Sequence, residues 1–195
     1  MIGALLVGGL SQRMGRDKTM LALRGQRVVA LLAGYLRETC GRCVLIGRSE
    51  QREQFSSACP DAFVADLVPG GGPLGGLHAA LMHCDDDVLL LACDLPLMNA
   101  ALLQRLNRTW SPPEMKALLP RTGPDFCEPT CAIWGRVCQP AVEAAVQRKR
   151  WSLRWLAQDV GAQFLDVSDA ERKCLRNLNT PAELCVTEGV EFVDR

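Results

Sequence analysis

Glycines and cationic side chains crowd together directly after the first apolar segment of the chain. Gly8, Gly9 and Gly15 follow that segment, with Arg13 and Lys18 beside them. Glycine lets backbone approach a ligand closely, and successive backbone N–H groups in such a loop form a concavity that binds an anion. The arginine and the lysine add positive charge. The pattern therefore predicts a loop that binds a polyphosphate.

The two best-known phosphate patterns are absent from this loop. Gly9 and Gly15 are separated by five residues and Lys18 follows later, so the spacing is not that of GxxxxGK[ST], and residues 8–18 do not fit GxGxxG either. An ordinary P-loop ATPase and a typical NAD enzyme are therefore disfavoured. An ordinary strand-to-helix turn with solvated arginines remains the alternative for this segment.

Two aspartates follow further apolar segments. Asp94 ends the most hydrophobic run of the chain, and Asp66 ends a shorter one. Mg²⁺ favours one or two carboxylates together with substrate phosphates, so Asp94 is the candidate metal ligand. Asp66 is a weaker candidate of the same kind, because the apolar run before it is shorter. The alternative for both residues is a turn or helix-capping role.

Apolar runs alternate with segments of helical periodicity along the chain. The predicted strands are 2–7, 43–47, 62–65, 88–93, 116–120, 131–134 and 162–167, and the predicted helices are 28–36, 74–82, 100–110 (capped by Asn99), 140–148, 152–159 and one beginning at Thr180. This alternation predicts a doubly wound α/β fold with helices on both faces of the sheet. Ligands of such sheets bind beyond the carboxyl ends of the strands, where the glycines, Asp66 and Asp94 fall.

Composition narrows the class of protein. The 195 residues suit one domain, 1–195, and the net charge is zero, so we expect no nucleic-acid partner. The chain has no apolar run of membrane-spanning length and no secretory signal, so we expect no membrane association and a cytoplasmic location. Ten cysteines are present. Reduced thiols are favoured over disulfides, a zinc site or a redox pair at Cys40 and Cys43. His78 and His83 are expected to be structural.

Several motifs resemble those of the molybdenum cofactor guanylyltransferases. That family opens with LAGGxSxRMGxDK, where this chain reads LVGGLSQRMGRDK, with Val7 in place of alanine. The further family motifs are GPLxG, CDxPxL, EP and NxNTPxEL. Their matches here are 72–76, 93–97 (with Met98 at the position of the motif's final leucine), Glu128-Pro129 (followed by Thr130 and, at 134, tryptophan, where the family often has leucine and tyrosine) and 177–184.

The resemblance implies a Rossmann-like three-layer sandwich of the nucleotide-diphospho-sugar transferase type, with a mostly parallel sheet. It implies transfer of GMP from MgGTP to the phosphate of molybdopterin or the molybdenum cofactor, with release of pyrophosphate. Arg13, Lys18 and Asp94 would be catalytic, with Asp94 on Mg²⁺, and Asn177 and Asn179 would face the pterin substrate. The nucleotide-binding residues would be Leu6, Gly8, Gly9, Ser11, Gly15, Lys18, Asp66, Gly72, Pro73, Leu74 and Asp94.

Other functions stay open at this point. Relatives that use CTP usually carry LAAG in the first motif and lack GPL, so Gly8-Gly9 and 72–74 favour guanine. Cytidylyl transfer to the same pterin, nucleotide transfer to another phosphorylated acceptor, and a non-catalytic carrier are the alternatives. Acceptor molybdoenzymes or their chaperones are possible protein partners. The basic cluster at 148–154 either grips an anionic partner or is a solvated helix end.

Overall fold

A computed structural model of the chain describes residues 1–8, 21–23, 25–55, 62–123, 126–177 and 190–192. The strands are β1 (Ile2–Leu6), β2 (Leu21–Leu23), β3 (Gln26–Arg27), β4 (Cys43–Gly47), β5 (Ala62–Ala65), β6 (Val88–Ala92), β7 (Ala117–Arg121), β8 (Cys131–Trp134), β9 (Gln163–Asp166) and β10 (Val190–Phe192). The helices are α1 (Val28–Cys40), α2 (Gly72–His83), α3 (Ala100–Thr109), α4 (Gln139–Gln147), α5 (Leu153–Val160) and α6 (Asp169–Arg172).

The main sheet has seven strands in the order β5-β4-β1-β6-β8-β7-β9. The neighbours from β5 to β6 are parallel, as are β7 and β9. Strand β8 runs antiparallel to both β6 and β7. The predicted α/β fold with a mostly parallel sheet is therefore confirmed. Three short strands form a second sheet in the order β10-β2-β3.

Two helical layers cover the main sheet because successive side chains of a strand point to opposite faces. On one face, Leu5 and Leu45 pack with the buried sides of α1 and α3. On the other face, Ala4 and Val44 pack with α2, α4 and α5. The central strands β4 and β6 are buried along their whole length, which explains their unbroken apolar sequences.

Local chemistry sets where the helices begin and end. Asn99 caps α3, its side-chain oxygen accepting a hydrogen bond from the Leu102 N–H at 3.0 Å, as expected. Helix α1 continues beyond the predicted end at residue 36 and stops where Gly41 takes a left-handed conformation (φ 79°). The helix expected from Thr180 lies outside the described residues. None of the described helices has the length and apolar character that crossing a bilayer would require.

Candidate functional site

The carboxyl ends of four adjacent strands meet at one edge of the main sheet. Because β1, β4, β5 and β6 are parallel, the segments that leave them lie side by side, and backbone hydrogen bonds continue past the strands. These bonds run from Val7 N–H to Ile46 O (2.8 Å), from Asp66 N–H to Gly47 O (2.7 Å) and from Cys93 N–H to Leu6 O (3.1 Å). We refer to this edge, with the segments that leave it, as the site edge.

Glycine at two positions lets neighbouring segments pack closely. A side chain at Gly8 would place its Cβ 3.1 Å from the Gly47 Cα, so backbone fills the space that a Cβ would need. Leu6, a predicted nucleotide-binding residue, packs its side chain against Gly76 of α2. The start of the predicted phosphate loop is therefore held tightly against β4 and α2.

Part of the predicted site lies outside the described residues. These residues are Gly9, Ser11, Arg13, Gly15, Lys18 and Asn179. Their proposed roles remain predictions. The structure places the other candidates, which are Leu6, Gly8, Asp66, Gly72, Pro73, Leu74, Asp94 and Asn177.

Asp66 lies directly after β5, against the first turns of α2. Its carboxylate accepts a hydrogen bond from the Val68 N–H at 2.9 Å. A Cβ on Gly75 would lie 3.3 Å from the same carboxylate, so glycine leaves room for the charge. Burial raises the pKa of Asp66 above its ordinary value, opposed by the Val68 hydrogen bond and by the charge of His78. A carboxylate that is kept where burial disfavours its charge is a candidate ligand-binding residue.

The start of α2 exposes backbone rather than side chains. Gly70 and Gly72 have φ of 82° and 58°, which only glycine adopts readily. Gly72 and Pro73 are exposed, whereas the side chain of Leu74 is fully buried in the core. A ligand at this turn therefore contacts the backbone of the predicted GPL segment, and Leu74 holds the turn in place.

Asp94 occupies the turn that follows β6, in the middle of the site edge. The residues on either side, Cys93 and Leu95, are buried, whereas Asp94 is only half-buried. Within the described ranges, no cluster of three or more His, Cys, Asp or Glu side chains could hold a metal ion.

The turn before β8 reaches the same edge, because an antiparallel strand begins where its neighbours end. Thr130 O accepts a hydrogen bond from Ala92 N–H at 2.9 Å. Glu128 is only 5% exposed. Its carboxylate accepts from the Thr130 N–H at 3.1 Å, the Thr130 hydroxyl at 2.6 Å and the Asn177 side-chain N–H at 3.3 Å. Sequence analysis noted Glu128 only as a motif residue and gave it no role.

The two departures from the family pattern near β8 have structural reasons. Thr130 supplies a hydroxyl to Glu128, which leucine cannot do. Trp134 is fully buried and donates its indole N–H to Pro129 O at 3.3 Å. Both side chains therefore fix the turn that carries Glu128.

A basic and aromatic surface lies beside the start of α2. Arg150, Trp151, Ser152 and Trp155 line a pocket of about 300 Å³. The Arg150 guanidinium lies 5.7 Å from the centre of the Trp155 ring and pairs with Asp159 at 3.1 Å. Asp159 therefore neutralises the charge of Arg150 on the surface, although Trp155 remains 59% exposed.

The cysteines show no sign of a redox or metal centre in the part of the chain that the structure describes. The free thiols there are Cys40, Cys43, Cys84, Cys93, Cys127, Cys131, Cys138 and Cys174. Burial raises the pKa of Cys40 to about 11, so its thiol stays protonated at neutral pH.

Comparison with known proteins agrees with this geometry. The family described as the MobA-like NTP transferase domain matches residues 3–162. A probable molybdenum cofactor guanylyltransferase of Synechococcus elongatus is 32% identical, covering 92% of this chain and 93% of its own. The molybdenum cofactor guanylyltransferase of Vibrio cholerae is 31% identical, covering 92% and 87%.

Solved structures show the same likeness. The crystal structure of molybdopterin-guanine dinucleotide biosynthesis protein A from Archaeoglobus fulgidus superposes with a TM-score of 0.78 at 27% identity, and the match covers 94% of each chain. The sheet order, the site edge and these matches lead to one assignment: the chain is a nucleotidyltransferase that belongs to the MobA-like NTP transferase family.

Proposed function

We propose that this enzyme transfers GMP from GTP to the terminal phosphate of molybdopterin or of the molybdenum cofactor. The observation that carries the proposal is the site edge itself. It gathers Gly8, Asp66 and Asp94 on neighbouring parallel strands and brings Asn177 to the adjacent antiparallel strand through Glu128. The molybdenum cofactor guanylyltransferases at 31–32% identity support GTP as donor and the pterin as acceptor.

The reaction needs alignment and charge neutralisation more than a general base. A phosphate oxygen of the acceptor is already anionic near neutral pH. It attacks the α-phosphorus of GTP, and a new P–O bond forms as the bond from that phosphorus to its bridging oxygen breaks. Pyrophosphate leaves with that oxygen and the bonding electrons. Preorganised cations stabilise the charge that spreads over the phosphoryl oxygens.

Each candidate residue has a role in this scheme. The loop from Gly8 to Gly15 wraps the triphosphate, and Arg13 and Lys18 neutralise its charge. Asp66 and the backbone of 72–74 lie on the nucleotide side. Asn177 and Asn179 face the pterin.

Mg²⁺ is the proposed cofactor, and Asp94 fits it. A half-buried carboxylate at the site edge, with no cluster of three or more potential ligands in the described ranges, suits a hard cation that keeps waters and binds substrate phosphates. When bound, the ion would stabilise negative charge on the triphosphate. Asp94, at the carboxyl end of β6, is the residue that would hold it.

The proposal also includes the choice of nucleotide, the protein partners and the location of the enzyme. The Gly8-Gly9 pair and the GPL segment at 72–74 favour GTP over CTP, and cytidylyl transfer is the second candidate. Acceptor molybdoenzymes or their chaperones would receive the product. We also propose that the enzyme works in the cytoplasm, where free thiols such as Cys40 and Cys174 stay reduced.

Pyrophosphate release tests the proposal directly. The purified protein is incubated with Mg²⁺ and GTP, CTP, ATP or UTP, each with and without molybdopterin. We expect release with GTP only, and only when the pterin is present. Release with CTP alone would move the chain to cytidylyl transfer, and no release with any nucleotide would contradict the proposed function.

A further inference from the structure

Glu128 is a buried carboxylate whose role is not explained by nucleotide binding. Of the polar side chains that the structure describes, only Gln51 and Glu128 are classed as buried, at 3% and 5% exposure. Its backbone is fixed on both sides, because its N–H donates to Pro120 O at 3.1 Å and its carbonyl accepts from Cys131 N–H at 3.2 Å. The side chain therefore has a defined position between β7 and β8.

The carboxylate divides its two oxygens between two partners. Oε1 accepts hydrogen bonds from the backbone N–H and the hydroxyl of Thr130, at 3.1 and 2.6 Å. Oε2 accepts from Nδ2 of Asn177 at 3.3 Å. Residues 128 and 177 are remote in sequence, so this bond attaches the segment after α6 to the site edge.

The hydrogen bond that Nδ2 donates to Glu128 fixes the orientation of the Asn177 amide. Nδ2 must face Glu128, so Oδ1 must point away from it. Oδ1 is buried and has no hydrogen-bond partner among the described residues. A buried carbonyl oxygen without a donor is unfavourable, so this atom is ready to accept a hydrogen bond from a ligand.

The position of this oxygen points to the second substrate rather than to the nucleotide. Thr130, bonded to the same carboxylate, is joined to Ala92 at the end of β6, two residues before Asp94. Strands β5 and β8 are four steps apart in the sheet, which at ~4.8 Å per step is roughly 19 Å. Asp66 and the Glu128–Asn177 pair therefore flank Asp94 on opposite sides.

We infer that Glu128 is a positioning residue that holds Asn177 so that its Oδ1 accepts a hydrogen bond from an N–H group of the acceptor substrate. The inference rests on the proposed function, in which that substrate is a pterin. A pterin ring carries amino and ring N–H donors, so an oriented amide oxygen distinguishes it from a ligand that offers only acceptors there. The site thus selects its acceptor by hydrogen-bond polarity.

Glu128→Gln tests the polarity. The carbonyl oxygen of glutamine can keep both Thr130 bonds, and its NH₂ group then faces Asn177. The Asn177 amide must turn over to offer Oδ1 to that NH₂, which presents Nδ2 to the substrate in place of an acceptor. We expect the KM for molybdopterin to rise about tenfold or more, whereas the KM for GTP changes less than about twofold.

The double variant Glu128→Gln with Asn177→Asp is the decisive comparison. It exchanges the two functional groups and conserves the net charge. The glutamine NH₂ donates to one carboxylate oxygen, and the other oxygen restores an acceptor toward the substrate. We expect the double variant to recover much of the molybdopterin KM relative to both single variants. Asn177→Asp alone would place two carboxylates together and lower the melting temperature. Glu114→Gln, on the exposed surface, is the matched control.

The outcomes separate this inference from the proposed function. An equal change of both KM values in Glu128→Gln, or a double variant no better than Glu128→Gln, would overturn the positioning role while GMP transfer stands. If the wild type releases no pyrophosphate, equilibrium binding of molybdopterin replaces turnover as the measurement. Equal binding by wild type and Glu128→Gln, or no binding by the wild type, would then overturn the inference together with the proposed function.

Discussion

The two sides of the site edge are built in different ways. The proposed nucleotide side, where β1, β4 and β5 end and α2 begins, is built from backbone and from glycines that admit close approach, as at Gly8 and Gly72. The proposed acceptor side, where β6 ends and β8 begins, is built from a buried network of side chains around Glu128. Under the proposed function, the contrast implies that backbone groups suffice to hold a phosphate chain, whereas the acceptor requires individually oriented side chains.

The largest effect is expected where the two sides meet, at Asp94. Asp94→Ala should keep the fold and lower kcat about 100-fold or more, because the proposed metal loses its protein ligand. Asp85→Ala is the matched control, since Asp85 precedes β6 as Asp94 follows it and forms only a surface ion pair with Arg136. Steady-state turnover across a Mg²⁺ titration provides the measurement. Unchanged kinetics in Asp94→Ala would remove this residue from the metal site.

Lys18 tests whether the nucleotide side depends on its loop cations. Lys18→Ala should lower kcat/KM for GTP about tenfold to 100-fold, because one positive charge on the triphosphate is lost. The KM for molybdopterin should stay close to that of the wild type. Lys116→Ala, on the exposed surface before β7, is the control. Normal GTP kinetics in Lys18→Ala would contradict the proposed loop.

A substitution at Asp66 is expected to weaken GTP binding while it raises the stability of the fold at neutral pH. Asp66→Asn keeps an oxygen for the Val68 N–H but removes the charge, so the KM for GTP should rise about tenfold. Because burial raises the pKa of Asp66 in the folded state, its ionised form destabilises the fold. That cost is absent below the ordinary pKa of the carboxyl and is complete above the raised pKa.

The stability of Asp66→Asn should therefore depend on pH in a defined direction. Its melting temperature should equal that of the wild type at pH values below the ordinary pKa of aspartate and exceed it at pH 7. Thermal melts across this range provide the measurement. A variant that is less stable than the wild type at neutral pH would show that the charge has a stabilising partner.

The smallest effects compare two glycines. Gly8→Ala should lower the free energy of unfolding by about 1–3 kcal/mol, because its Cβ would meet the backbone of Gly47. Gly34→Ala, on the exposed surface of α1 with open space around it, should raise stability by about 0.5–1 kcal/mol. Denaturant unfolding measures both changes. Equal changes in the free energy of unfolding for the two variants would show that the backbone of Gly47 does not restrict the side chain at position 8.

Sequence reasoning identified the fold because strands and helices depend on residue type at short range. The apolar run at 88–93 predicted a buried strand, and β6 occupies Val88–Ala92. Asp66 and Asp94 followed predicted strands, and the structure places both at one sheet edge. The role of Glu128 was missed because its contact with Asn177 joins residues far apart in sequence, which no periodicity relates.

The late positions of Glu128 and Asn177 in the chain set the order in which the two proposed binding surfaces become complete during translation. A ribosome that has released residues up to Ala92 has already supplied all four parallel strands from β5 to β6. Glu128 enters later, and its partner Asn177 follows only after β9. A nascent chain therefore carries the strands of the nucleotide side well before it can discriminate an acceptor. Chains truncated before residue 177 lack the group that Glu128 orients.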